Sequence, residues 1–280
     1  MTDNWNESPD TWWICATCAV EHADRVEVCR ICADERQWVP PAGQRWTTRQ
    51  ELAESGQRVQ IAELEPALFA ITGVPGVGIG QHSKLVCTPA GNLLWDPIGY
   101  LDNDAVEQVR QLGDVVAIAA SHPHMFGAQV QWSRALGGPP VLVSEADLTW
   151  VARPDPVIRP WSGEVQVVPD LALNQIGGHF PGSSLAHWSG GADGRGVLLS
   201  SDTIYANPDR QSVSFMRSFP NHIPLSGAVV ERIVARVERL RFDRLYGNFG
   251  FVIDANAATV IRRSADRHIG WARGDFDHLT

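Results

Sequence analysis

Hydrophobic positions after residue 66 form short apolar runs, separated by stretches with a helical pattern. Apolar runs bounded by turn residues predict strands at 67–72, 84–88, 92–96, 115–120, 140–144, 165–168, 171–176 and 196–201. Helical patterns occupy 104–112, 128–136 and 255–272, and Ser226 can cap a further helix with Val229, Ile233, Val237 and Leu240 on one face. Strands that alternate with helices in this way indicate a layered α/β fold.

The N-terminal segment has a different pattern, because four cysteines stand there as two pairs. Cys15 and Cys18, then Cys29 and Cys32, give C-A-T-C, ten residues and C-R-I-C. Thiolates at this spacing can converge tetrahedrally on one zinc ion, and metal binding would supply the folding energy that so short and polar a segment lacks. We predict a structural zinc site, with redox or unrelated cysteines as the alternative.

The domain organisation reflects this contrast. Residues 1–45 are predicted to form a zinc-binding head and its linker, and residues 46–280 the catalytic domain. Because Pro40, Pro41 and Gly43 disfavour a helix, residues 38–47 are expected to form an extended linker.

With Trp13 two residues before the first cysteine, W-I-C-A-T-C…C-R-I-C resembles the small Ran-binding-protein type of zinc finger over residues 11–36. Some members of that family bind single-stranded RNA, but residues 11–38 hold three arginines against five acidic residues. A rubredoxin-like iron site is the other alternative, and Ala19 and Ala33 stand where rubredoxin knuckles usually carry glycine. We therefore favour zinc and expect the head to dock to a protein or to a second copy of the chain.

A pair of histidines comes directly after the apolar run at 115–120. His122 and His124 stand in A-I-A-A-S-H-P-H-M-F-G, and alternate residues of an extended backbone point to the same side, so both imidazoles can reach one ion. Two later strand ends add His179, in the glycine-flanked G-G-H-F-P-G-S, and Asp202, in S-S-D-T-I. Three histidines with one carboxylate are the ligand set of a catalytic zinc or iron site that keeps an open position.

The order of these motifs resembles the metallo-β-lactamase superfamily and its glyoxalase-type hydrolases. H-x-H, then G-H-x-P-G-S, then S-x-D-T succeed one another like the metal-binding motifs of that family, and the likeness spans residues 59–270. The resemblance implies a four-layer αββα sandwich, to which this chain adds a small N-terminal zinc ribbon or finger. It also implies that Asp96, at the end of N-L-L-W-D, supports the site without binding the metal.

The departures from the family pattern all concern a second metal position. Phe126 and Gly127 stand where the family has the aspartate and the last histidine of H-x-H-x-D-H. Asn248 is the polar residue nearest to the place of the family's final histidine, and we expect it to lie beside the ligands. Because every ligand of the first position is present, we predict a mononuclear site, with Asp202 either a fourth ligand or a hydrogen-bond partner of the bound water.

Other residues offer further candidates for the site. His187 is the alternative to His179 as third ligand, His222 is a candidate proton donor to a leaving group, and Tyr205 is a candidate pocket residue. Cys87, in an apolar run, is interpreted as a buried small hydrophobe. The glycine-rich residues 74–80 lack the lysine and strand-to-helix context of a phosphate loop, so we interpret them as a flexible loop.

Composition narrows the classes of partner. The 280 residues carry 23 Lys and Arg against 32 Asp and Glu, a net charge of −9, so we expect no nucleic-acid partner, which would need a basic surface. We expect no membrane span either, since no run approaches the roughly 18–20 apolar residues that one requires. The N-terminus lacks the pattern of a secretory signal, so a cytoplasmic protein is expected, in which cysteines bind metals more often than they form disulfides.

These observations predict a mononuclear metal-dependent hydrolase with a small-molecule substrate. Metal-bound hydroxide would attack the carbonyl of an ester, thioester, lactone or amide, and Asp202 would orient the water or take its proton. Two alternatives remain open: an iron redox enzyme or lyase on the same fold, and a non-catalytic metal-binding scaffold protein.

Overall fold

The computed structural model describes residues 12–280, so the first eleven residues of the predicted head lie outside the described residues. The described residues divide into two compact units, a first that ends at Trp161 and a second that spans Ser162–Thr280. The predicted boundary after residue 45 stays a prediction.

A small three-stranded sheet forms the N-terminal head of the first unit. Its strands are Trp13–Cys15 (β1), Glu21–His22 (β2) and Trp46–Thr47 (β3). β1 is the central strand and pairs antiparallel with both neighbours. Because the first cysteine ends β1, the sheet and the cysteine pairs form one structure.

The segment expected to be an extended linker belongs to this head, which corrects the sequence interpretation. Trp46 lies opposite Cys15 in the β1–β3 pairing. The Gln44 side chain donates to Cys15 Sγ at 3.2 Å and accepts from the Cys29 backbone N–H at 3.1 Å. Pro40 and Gly43 exclude a helix as expected, but tertiary hydrogen bonds hold the residues after Gly43 in place.

A seven-stranded mixed sheet is the core of the first unit. Its strands are Arg58–Glu65 (β4), Leu68–Val74 (β5), Ser83–Val86 (β6), Asn92–Trp95 (β7), Val115–Ala119 (β8), Val141–Ser144 (β9) and Ile158–Trp161 (β10). The strands lie in the order β10-β9-β8-β7-β6-β5-β4, antiparallel from β4 to β7 and parallel from β7 to β10. The carboxyl ends of β7 and β8 therefore meet at one edge of the sheet, where chemistry is commonly placed.

The helices of this unit begin at polar caps. They are Arg49–Glu54 (α1), Asn103–Gln111 (α2) and Gln129–Ala135 (α3), with 3-10 segments at Pro123–Met125 and Glu145–Trp150. Thr48 and Glu51 form a capping box at α1. Asp102 caps α2 by accepting from the Ala105 N–H, and its other oxygen accepts from the Val59 N–H of β4. One carboxylate thus joins a helix start to the sheet.

The second unit contains a six-stranded sheet and two short strand pairs. Its strands are Glu164–Val168 (β11), Leu171–Gln175 (β12), Ser184–Trp188 (β13), Val197–Leu199 (β14), Tyr205–Ala206 (β15), Val213–Ser214 (β16), Met216–Ser218 (β17), Ile223–Pro224 (β18), Arg244–Tyr246 (β19) and Val252–Ile253 (β20). The large sheet has the order β11-β12-β13-β14-β19-β20, and its β14–β19 pair is parallel. β15 pairs with β16, and β17 with β18.

Two long helices cover an apolar core in this second unit. The helical segments are Gly191–Gly194 (α4, a single short turn), Gly227–Val237 (α5) and Ala257–Arg273 (α6), with a 3-10 segment at Asp277–Leu279. Ser226 caps α5 by accepting from the Val229 N–H, as predicted. Ile233 of α5 and Ile261 of α6 are fully buried in one cluster with Leu198 of β14, and each such side chain contributes about 1.5–3 kcal/mol.

The predicted elements are largely confirmed, and with them the α/β fold class. Every strand predicted from an apolar run has a counterpart, although the run at 196–201 yields only Val197–Leu199. The helix expected at 255–272 begins at Ala257. Within residues 12–280, no helix is both long enough and apolar enough to cross a membrane.

Candidate metal centres

His122 and His124 lie in a short loop directly after β8. His122 has an extended backbone and precedes the 3-10 turn Pro123–Met125, in which the Met125 N–H donates to His122 O at 2.9 Å. Both histidines are buried, and their ring centroids are 4.9 Å apart. Proline suits the first position of such a turn because its φ is already fixed there. The strand end and the proline thus hold two imidazoles side by side.

Asp96 supports this loop from the neighbouring strand end. It comes directly after β7, is fully buried and adopts a left-handed backbone with φ 53°. Its carboxylate accepts from the Ser121 N–H, and Ser121 Oγ lies 3.0 Å from His122 Nδ1. A carboxylate that fixes the residue before His122 helps to orient the His122 ring. The role in a metal site that the family resemblance implies for Asp96 stays a prediction.

His179 occupies a tight loop between β12 and β13 in the second unit. Ser183 O accepts from the N–H groups of Ile176 and Gly177, and Ser183 Oγ accepts from the Phe180 N–H. Gly178 has φ 102°, and a Cβ there would lie 2.8 Å from the Ile233 side chain, so a larger residue would strain the backbone and displace that side chain. The motif's glycines and serine therefore determine where the histidine stands.

The His179 ring is held in one tautomer and faces Asp202. Its Nδ1 lies 3.1 Å from Met216 O, and because a carbonyl only accepts, Nδ1 carries the proton and Nε2 the lone pair. Asp202, which comes after β14, places Oδ2 3.7 Å from that Nε2. Two lone-pair atoms this close repel unless a cation or proton lies between them, so the pair fits a metal ion.

His122 and His124 of the first unit and His179 and Asp202 of the second are the residues that could hold this metal ion, and all four are buried. Three imidazole nitrogens and a carboxylate oxygen form a donor set that both zinc and iron accept. A buried carboxylate also requires compensation of its charge, which a divalent cation provides. The residues present therefore fit a single metal ion.

The four cysteines form a second buried group in the head. Cys15 and Cys32 Sγ are 3.6 Å apart, and Cys18 and Cys29 Sγ are 3.8 Å apart. Sulfurs at about 2.3 Å from a tetrahedral zinc ion stand about 3.8 Å from one another, so the spacing matches such a site. The geometry therefore fits the structural metal predicted from the sequence.

The pKa shifts of these four thiols also favour a bound cation. Hydrogen bonds from neighbouring thiols lower the pKa of Cys15 to about 6 and lower the pKa of Cys29, to which His22 also contributes. The same contacts raise the pKa of Cys18 and of Cys32. The four thiols cannot all ionise side by side without a positive ion, and metal binding would release the remaining protons.

Three residues stand where the metallo-β-lactamase motifs carry the ligands of a second metal, and the structure shows how each of them packs. Gly127 has φ 49°, and a Cβ there would lie 1.9 Å from Pro97 O, so no side chain fits. Phe126 is buried, and the buried Asn248 donates through its side chain to Ser201 Oγ at 3.1 Å. These contacts support the mononuclear prediction.

Other sequence candidates lie outside the four-residue group. His187 lies on β13, where its Nε2 is 2.9 Å from Arg241 O. This contact favours His179 over His187 as the third ligand. His222 is exposed in the turn between β17 and β18, with φ 54°. Cys87 is only partly buried, and that burial raises the pKa of its thiol to about 11.

An aromatic cluster lies beside His179, and only its Tyr205 could be singled out from the sequence. Phe219 lies 6.1 Å from the His179 ring and 4.9 Å from Tyr205, and Phe249 and Phe251 lie 6.0 and 6.4 Å from Tyr205. None of these four aromatic side chains is fully buried. Burial and the nearby Asp202 charge raise the pKa of Tyr205. The phenylalanines could not be found in this way, since scattered aromatic residues give no pattern along the chain.

Comparison with solved structures identifies the fold as that of metallo-β-lactamases. The DIM-1 metallo-β-lactamase aligns with a TM-score of 0.54 and 10% identity over 75% of this chain and 98% of its own. A B3 metallo-β-lactamase with an active-site glutamic acid gives 0.51 and 15% over 86% and 98%. The flavodiiron core of Flv1 from Synechocystis sp. PCC6803 gives 0.53 and 11% over 76% and 61%. At such identities the likeness shows the fold alone.

A comparison of sequences shows the family to which the chain belongs. The uncharacterized protein YmaE of Bacillus subtilis (strain 168) is 42% identical over 272 residues, which cover 95% of this chain and 99% of YmaE. The chain therefore belongs to the same family as YmaE. No protein-family model matches the sequence.

Proposed function

We propose that this protein is a mononuclear metal-dependent hydrolase that cleaves an ester, thioester, lactone or amide. The observation that carries the proposal is the set of four buried side chains that could bind a metal, His122 and His124 in the first unit and His179 and Asp202 in the second. A divalent metal held there would polarise a carbonyl group and lower the pKa of a water molecule to about 7. The metallo-β-lactamases of similar fold add weight to hydrolysis as the reaction class.

The surrounding residues would keep the reacting groups in position. The contact between His179 Nδ1 and Met216 O keeps the Nε2 lone pair turned toward the metal position. Asp202 would orient the attacking water or accept its proton, and the exposed His222 would be the donor to a leaving group. The packing at Gly127 argues against a second metal and so against the two-metal route of phosphodiester cleavage.

The aromatic cluster of Tyr205, Phe219, Phe249 and Phe251 suggests an apolar group in the substrate. Half-buried rings beside a metal ligand offer an apolar wall that favours an acyl chain or an aromatic group. Phe219→Ala is expected to slow the hydrolysis of an octanoyl ester more than that of an acetyl ester. Phe276→Ala is the matched control, since that ring packs on Trp271 near the C-terminus.

Metal content and turnover together test the reaction. Protein purified without added metal is expected to carry two metal ions per chain, one at the cysteines and one at the histidines. Hydrolysis in an ester, thioester and lactone panel should fall at least roughly 100-fold in His124→Ala and stay unchanged in His187→Ala. Turnover that survives His124→Ala would refute the proposal, and turnover on no substrate would favour the scaffold alternative.

An iron enzyme on the same fold is the second candidate. Three histidines and a carboxylate also suit iron, and the flavodiiron core of Flv1 shares the fold. Iron at the histidine site, found by elemental analysis, would favour redox chemistry over hydrolysis.

At the cysteines we propose structural zinc, in a head of the Ran-binding-protein type.

A further inference from the structure

The head contacts the histidine loop through the short strand β2. The Glu21 N–H donates to Gly127 O at 2.9 Å, three residues after His124. The Glu21 carboxylate accepts from the backbone N–H groups of Val130 and Gln131, in the first turn of α3. One residue of the head therefore holds both the end of the histidine loop and the start of the next helix.

This carboxylate is deeply buried and is compensated by an arginine. Glu21 is 2% exposed and Arg153 is 5% exposed, and Arg153 Nη1 donates to Glu21 Oε2 at 2.7 Å. The guanidinium also lies 5.1 Å from the ring centroid of Trp12. Burial raises the pKa of Glu21, while Arg153 and the amide donors oppose that rise. Removal of either partner from a buried ion pair of this kind destabilises the protein, because the other charge stays buried without compensation.

His22, the second residue of β2, connects Glu21 to the cysteines, since His22 Nε2 lies 3.4 Å from Cys29 Sγ. Directly after β2, the Ala23 N–H donates to Ala152 O. Glu21 itself lies opposite Ile14 in the pairing with β1, one residue before Cys15. The position of Glu21 is therefore linked to the cysteine cluster, and so short a polar segment relies on metal for its folding.

A second contact fixes the head on the same unit. Ala19, between the cysteine pairs, packs against the backbone at Gly78 and Gly99. A Cβ on Gly99 would lie 2.3 Å from Ala19 O, and one on Gly78 would lie 2.6 Å from the Ala19 Cβ. The head is thus closely packed against residues 78 and 99 of the same unit, which leaves β2 little freedom to shift.

We propose that the four-cysteine head is a metal-dependent clamp on the histidine loop. Metal at the cysteines holds Glu21 in place, and Glu21 holds residues 127–131, which preorganises His122 and His124 for their own ion. Glu21 and Arg153 are thus positioning residues for the histidine site. The inference rests on metal binding at both groups, which is part of the proposed function, but it does not depend on the reaction.

Zinc affinity of the full chain tests the role of Glu21. Glu21→Gln keeps the shape of the side chain but presents an amide to the backbone donors, so zinc binding at the histidine site should weaken roughly 10-fold in competition with a chromophoric chelator. Glu27→Gln, an exposed residue of the same head, is the matched control and should bind like the wild type. A merely structural role would lower the melting temperature of Glu21→Gln and leave this affinity unchanged.

Hydrogen exchange tests the clamp without altering Glu21. In a Cys87→Ser background, a mercurial that removes metal from the remaining four cysteines is expected to speed exchange in residues 121–135 and not in α5, residues 227–237. Unchanged exchange in 121–135 would overturn the clamp. Zinc at both groups with wild-type affinity in Glu21→Gln would overturn it as well. Absence of zinc from both groups would overturn the proposed function and the clamp together.

Discussion

At the scale of single residues, Gly127 joins two requirements at one backbone position. Its φ is 49°, its carbonyl accepts from the Glu21 N–H, and its α-carbon has no room for a side chain beside Pro97 O. A histidine at this position, as in the metallo-β-lactamase motif that the sequence resembles, would need the backbone to move away. The contact with the head and the exclusion of a side chain at residue 127 are therefore two results of one local packing.

Gly127→Ala is expected to lower the free energy of unfolding by about 2–4 kcal/mol, because crowding adds to the strain of a left-handed backbone. Gly137→Ala is the matched control, since Gly137 also has a positive φ, 90°, but nothing lies within 4 Å of a Cβ there. That variant should lose only about 1 kcal/mol. Urea unfolding measures both, and equal losses would show that crowding at Pro97 contributes nothing.

Lys84, the single lysine of the sequence, gives a prediction about pH. It is 2% exposed, and burial lowers its pKa from 10.5 to about 8, although the Asp96 charge opposes this. Between these pH values the unfolded chain binds a proton that the native protein has released, so the free energy of unfolding rises with pH.

From pH 8 to pH 10.5 the free energy of unfolding is expected to change by about 3 kcal/mol more in favour of the native state in the wild type than in Lys84→Met. The raised pKa values of Cys87 and Tyr205 act in the opposite direction, but they do so in both proteins. Urea unfolding at the two pH values gives the comparison. No other lysine contributes in this range, so parallel pH profiles for the two proteins would contradict the lowered pKa.

At the scale of elements, the local pattern of apolar and polar residues is enough to predict the strands and the histidine motifs that follow them. The apolar run at 115–120 and the hairpin at 84–96 gave correct strands, and the histidine motifs could be found because they stand at strand ends. Contacts between distant segments could not be predicted in this way. Gln44, in the segment expected to be a linker, donates a hydrogen bond to Cys15 Sγ. The loop at 74–80 is expected to be flexible, but its Gly78 packs closely against Ala19.

Helix α5 offers a test at this scale, because its start was predicted from sequence alone. Ser226 Oγ accepts from the Val229 N–H at 3.4 Å. Ser226→Ala should lower the free energy of unfolding by about 1 kcal/mol, whereas Ser226→Asp, which keeps an acceptor, should match the wild type. Thermal unfolding separates the two variants. Equal melting temperatures for Ala and Asp would show that the hydroxyl does not act as a cap.

At the scale of the whole molecule, stability becomes a measure of how many metal ions the native chain holds. The cysteine group and the histidine group are both assembled by folding, from residues that are distant in sequence. An ion that binds the native state and leaves on unfolding stabilises the protein by mass action, so every site contributes its own dependence on free metal.

Above the dissociation constants, each tenfold rise in free zinc should therefore add about 1.4 kcal/mol per site to the free energy of unfolding. The wild type, with two sites, should show about 2.7 kcal/mol per tenfold, and His124→Ala, with the cysteine site alone, about 1.4. Urea unfolding in zinc buffers gives both slopes. A common slope for the two proteins would mean that the histidine group does not hold zinc in the native state, since only its loss distinguishes them.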